Sequence, residues 1–154
     1  MLKQRLTVLA AALGAALLGP AAEAGQCPAG EMRADATKPV AIPAKGVTDS
    51  VLSSIDLSKE PAAIDGRALR LRKLVIQPGG VVPWHSHADR PAIIYIVEGT
   101  ITEYASNCAV PIVHKAGEAA RETSATSHWW KNTSRSRAVL LSADVQHGAQ
   151  DHNM

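Results

Sequence analysis

A chain of 154 residues, 46% hydrophobic and 19% charged, has room for one domain and a leader and is too apolar for wholesale disorder. Its formal charge is +2, and removing Lys3, Arg5 and Glu23 with a leader takes away two cations and one anion to leave +1, which is no footprint for nucleic acid. Phe is absent and aromatic residues make up 3%, so Val, Ile and Leu must fill the core, and branched side chains suit strands.

The chain opens with Lys3 and Arg5, an apolar run from Leu6 to Leu18, Pro20 and the triplet Ala22, Glu23, Ala24. That order predicts an export signal over residues 1–24, cleaved before Gly25, and a mature protein in the periplasm or outside the cell. The 13-residue apolar run is short of the ~20 residues that span a bilayer. Cys27 and Cys108 are the two cysteines of the chain, and both survive cleavage. In an oxidising compartment they admit one intramolecular bridge, although two free thiols that never meet fit the sequence as well.

Residues 25–47 carry Pro28, Pro39 and Pro43 with neither a helical nor a strand period, and predict an extended lead-in. The domain proper is expected over residues 48–146. Thr48, Asp49 and Ser50, ahead of Val51, Leu52 and Ile55, suit either one short helix or a strand entering the domain. Strands follow at Arg67 to Gln77, stopping at Pro78, Gly79 and Gly80, then at Val81 to His87 and at Ile93 to Val97. Thr100 to Ala105 pairs back as a hairpin partner across Glu98 and Gly99. Ile112 and Val113, Ala119 to Thr123, His128 to Asn132 and Arg137 to Val145 complete an all-β set that argues for a sandwich or barrel. Residues 147–154 are expected to form a tail that carries His147 and in which Asp151, His152 and Asn153 either trail in solvent or coordinate a metal.

His85, Ser86, His87 is the most informative tripeptide. A strand's period of two sends both imidazoles to one face and Ser86 to the other, and imidazole suits zinc, copper, iron and nickel. Taken alone the pattern is weak, because paired histidines on a strand are more often surface or hydrogen-bonded groups. Trp130 shares the face of His128 by the same period, where it either walls a pocket or packs in the core. Trp84 alternates away from His85, and Trp129 faces outward or packs under a neighbouring element. His114, beside Lys115 at a strand end, suits a surface or turn position.

Gly79, His85, His87 and Gly99, at spacings of five, one and eleven intervening residues, resemble the first motif of the cupin superfamily, and His128 followed by Asn132 resembles the end of its second. The resemblance runs from about Leu69 to Val145 and implies a double-stranded β-helix, or jelly-roll, barrel. It also implies that His85, His87 and His128 meet inside the barrel on a divalent metal, with iron, zinc, manganese, nickel and copper all admissible. The chain departs from the pattern at Ala92, where the family usually places a glutamate ligand facing the pocket, and at Lys115, where it tends to place proline. Glu103 and Glu122 are the candidates to replace the missing carboxylate, although solvent-facing positions are the default for glutamate.

Three neutral imidazoles leave the charge of a metal uncompensated by protein, so the expected small-molecule ligand is anionic or chelating. Cysteine dioxygenase and acetylacetone dioxygenase resemble this arrangement in using three histidines on iron. Two functions follow as expectations: a metal-dependent oxygenase, isomerase or lyase, or a non-catalytic module that binds a metal or small ligand. Pairing as a homodimer through sheet edges accompanies either. No nucleophile beside a base, phosphate-cradling loop or carboxylate pair for glycoside chemistry is evident.

Overall fold

The computed structural model describes residues 25–148. The expected export signal (residues 1–24) and most of the expected tail, His152 included, lie outside the described residues. Eight strands run in chain order: β1 (Lys45–Asp56), β2 (Arg67–Ser86), β3 (Ala92–Glu98), β4 (Thr100–Ala105), β5 (Ile112–Lys115), β6 (Ala119–Glu122), β7 (Ser127–Lys131) and β8 (Ala138–His147). One 3₁₀ turn, Leu57–Lys59, links β1 to β2, capped by the Asp56 carboxylate, which accepts from the Ser58 amide at 3.1 Å. All pairings are antiparallel, in the order β5-β4-β7-β2-β8-β3-β6, with β1 added on β2, and the sheet curls into a nearly closed all-β barrel.

The segment from Thr48 to Ser50 is strand, part of β1 paired to β2, and not a helix. The turn residues Pro78, Gly79 and Gly80 do not end a strand either. β2 runs through them for 20 residues. Up to Ile76 it pairs with β8 and from Val81 with β7, while β1 accompanies it as far as Val81, so the Pro-Gly-Gly stretch marks where one partner replaces another. That crossing is pinned by Asn132, whose carbonyl accepts from the Gly79 amide at 2.9 Å and whose own amide donates to Gly80 at 3.0 Å.

Alternation along the strands fills the barrel. Leu74, Ile76, Val82, Ile94, Ile96, Ile101, Trp130 and Leu140 form the main apolar cluster, and burying each large side chain contributes roughly 1.5–3 kcal/mol. Gly99, with φ of +81°, makes the β3–β4 turn, and a Cβ there would sit 2.4 Å from the Arg137 carbonyl oxygen, so only glycine fits. The lead-in is fastened at the other end of the barrel. Arg33 and Ala36 donate to the carbonyls of Asn107 and Ser106, and Cys27 is disulfide-bonded to Cys108, 81 positions away.

Candidate metal centre

His85 near the end of β2 and His128 on β7 are direct cross-strand partners, which places their rings side by side on the inner face. His87 follows one residue after β2 and is held by its amide donating to the Thr126 carbonyl at 2.9 Å. The three Nε2 atoms form a nearly equilateral triangle: 3.1 Å from His85 to His87, 3.0 Å from His87 to His128 and 3.0 Å from His128 to His85. His87 and His128 are buried, and His85 is partly exposed.

The tautomers follow from what stands behind each ring. The Nδ1 atoms of His85 and His87 lie 2.9 and 2.7 Å from the carbonyl oxygens of Pro83 and Arg90, and Nδ1 of His128 lies 2.6 Å from Oε1 of Glu103. A carbonyl or carboxylate oxygen only accepts, so each Nδ1 donates and Nε2 is the atom each ring turns toward the other two. Burial, then the neighbouring His128 ring, pushes His85 down to about 2 and His87 down to about 4, so both stay neutral. With Nδ1 engaged behind each ring, the three Nε2 atoms face one another, an arrangement that a shared cation suits. Nitrogens 3.0–3.1 Å apart are close enough to be shared by one ion. The residues fit a divalent metal.

Glu103 and Glu122 are buried, not solvent-facing. Both approach His128 from its Nδ1 side, with Glu122 Oε2 at 3.5 Å, so Glu103 orients the imidazole and does not stand in for a fourth ligand. His114 is fully buried rather than at a surface or turn, and its Nε2 donates to Glu103 Oε2 at 2.9 Å. The reason is register: β5 alternates inward at Ile112 and His114, beside Glu103 on β4. Burial pushes the Glu103 carboxyl up, but hydrogen bonds from His114 and His128 outweigh it and hold the group at about 2. Burial first, and the Glu103 charge second, push Glu122 up to about 9, so it is protonated at neutral pH.

Trp130 is both core and wall. It belongs to the main apolar cluster and lines a cavity of about 20 Å³ with His85, His87, Arg72 and Ser142. Its Nε1 lies 3.1 and 3.2 Å from the two nitrogens of His128 and the rings meet at 79°, so the indole N–H rests against the imidazole ring. His114 stacks on its other side at 4.6 Å. Trp129 stacks on Tyr104 at 4.1 Å. Trp84, with Asp89, Arg90 and His147, lines a depression of about 450 Å³ on the far side of His85. Ala92 is buried on β3 between Glu122 of β6 and Asp144 of β8, outside the lining of the small cavity.

Arg70, Arg72 and Asp144 are functional-looking residues that the sequence reading passed over. Arg70 chelates Asp144 at 3.0 and 2.8 Å, and Arg72 donates to Asp49 at 2.5 Å and lies 3.4 Å from Asp144. The signal was available in the alternation of Arg70 and Arg72 with Leu74 and Ile76, all on the inward face of β2.

A cupin domain family profile matches residues 72–144. Among solved structures, an uncharacterised conserved protein with a double-stranded β-helix domain from Klebsiella pneumoniae is 16% identical over 70% of this chain and 84% of its own, with a TM-score of 0.54. The cupin domain of Cnp3 from Schizosaccharomyces pombe is 13% identical over 69% of each chain, with a TM-score of 0.52. An oxalate oxidase in complex with the substrate analogue glycolate is 19% identical over 75% of this chain, with a TM-score of 0.51, and the match spans 58% of that enzyme. At these identities the likeness is one of fold. A search of curated proteins found no match.

Proposed function

We propose that this chain, whose residues 72–144 match a cupin domain family profile, binds a divalent metal through His85, His87 and His128 and acts on a small carboxylate or other chelating anion. The observation that carries this reading is the triangle of Nε2 atoms, each ring aimed by an acceptor behind it. When bound, such a metal supplies a Lewis-acid or redox centre with open positions for an oxygenase, isomerase or lyase reaction. The protein's own part is to fix the three rings, to keep the proton of His128 on Nδ1 through Glu103, and to exclude water with Trp130 and the apolar wall. The oxalate oxidase neighbour is described with glycolate, a small carboxylate, and the cavity beside His85 and His87 is narrow.

One observation favours a non-catalytic module instead. Among the described residues no side chain near the three rings is placed as a general base: Glu103 is engaged by two histidines and Glu122 is protonated. Purifying the mature protein in air, measuring its metal by elemental analysis and following oxygen uptake against diketones, thiols, phenolic acids and small carboxylates separates the two. Bound iron with substrate-dependent uptake supports an oxygenase, and tightly held zinc without turnover supports the module.

The export signal read at residues 1–24 suits an oxidising destination, and the Cys27–Cys108 bridge suits the same compartment. We propose export on that ground, to be checked by the N-terminal sequence and location of the secreted form. Homodimer formation through the outer edge of β1, where Val51, Leu52 and Ile55 are exposed, is read from the solution mass by light scattering.

A further inference from the structure

Arg72 of β2 and Ser142 of β8 stand directly across from one another in the sheet, both on the inner face. Both are more than nine-tenths buried. Both line the cavity that His85 and His87 also wall. Each keeps one buried polar atom without a hydrogen-bond partner, Nε of Arg72 and Oγ of Ser142. Buried polar groups are satisfied in the great majority of cases, so two orphans side by side in one cavity call for a ligand or a water.

We propose that Arg72 and Ser142 form a subsite for the carboxylate of a short-chain acid bound beside the metal centre, an inference that rests on the metal reading above. The donors decide the chemistry. The Arg72 Nε–H and the Ser142 hydroxyl both offer a hydrogen, so their partner accepts, and the guanidinium favours an accepting group that is charged. Arg72 is held in place by Asp49 at 2.5 Å through Nη1 and lies 3.4 Å from Asp144 through Nη2, so the Nε edge presents itself without further ordering. The remaining wall, with Leu74, Ile94, Leu140 and Trp130, is apolar and strengthens a charge-assisted bond by keeping water out. The space beside Arg72 and Ser142 is narrow, so an acid that reaches them is short.

The test uses the full mature protein loaded with the metal it carries, with glycolate as the charged probe and glycolamide as its neutral counterpart, titrated by calorimetry. Ser142→Ala removes an unpartnered hydroxyl and so takes away no hydrogen bond of the fold. Arg72→Lys keeps a charge near Asp49 and Asp144 but lacks the Nε donor. Glycolate is expected to bind the wild type, to bind Ser142→Ala and Arg72→Lys about tenfold or more weakly, and to outbind glycolamide, with metal content equal in all three proteins. Full metal content with glycolate affinity indifferent to both substitutions, or with no glycolate binding at all, overturns the subsite alone. A wild type that takes up no metal overturns the metal reading and the subsite together.

Discussion

Oε1 of Glu103 lies 2.6 Å from Nδ1 of His128, on the side of the imidazole opposite the three converging Nε2 atoms. The carboxylate therefore acts on a metal through the ring it holds. Glu103→Gln keeps the shape but turns an anion into a neutral amide, which can offer His128 a donor as easily as an acceptor. Metal affinity, measured by competition with a chelator, should fall about 10–100-fold while the three histidines remain in place.

Glu122 gives a pH dependence of defined sign. Its folded value of about 9 stands above the ordinary 4.5, so between these limits the folded protein keeps a proton that the unfolded chain releases. Stability of the metal-free protein should fall as pH rises from 7 to 9, by up to about 1.4 kcal/mol per pH unit. Glu122→Gln should remove that slope in urea titrations across the same window. His85 and His87 titrate lower and contribute stability that is lost as pH falls below the ordinary histidine range.

Much of this was legible in the sequence. The period of two put His85 and His87 on one face, and the resemblance to the cupin motifs added His128, which the structure brings to the same point as the cross-strand neighbour of His85. Local turn chemistry misled at Pro78, Gly79 and Gly80, where β2 continues because β7 takes over from β8 as its partner. Buried charge was hidden for a different reason. Glutamate and histidine are exposed by default, and only the pairing of β4 with β5 and β7 shows that Glu103, His114 and His128 satisfy one another inside the barrel.

Ala92 stands where the family tends to carry a carboxylate, yet its ladder neighbours are Glu122 and Asp144, both buried. Ala92→Glu should therefore crowd a third carboxyl into that layer and lower stability by more than about 2 kcal/mol, with no gain in metal affinity. Chemical denaturation and chelator competition on the same sample check both halves.

The Cys27–Cys108 bridge closes a separation of 81 positions and fastens the lead-in to the end of β4. On the chain-entropy account it contributes about 4–5 kcal/mol. Replacing both cysteines with serine should lower the thermal midpoint markedly while the metal content stays unchanged, as read by calorimetry and elemental analysis.

The central claim is tested most directly by metal stoichiometry after dialysis against a trace divalent metal, in the wild type and in His85→Ala, His87→Ala, His128→Ala and His147→Ala. His147 is a control, exposed and bound to Asp89 at 2.6 Å. One ion per chain in the wild type and in His147→Ala, with sharp loss in each of the other three, is the predicted result. Equal retention in all four variants would contradict it.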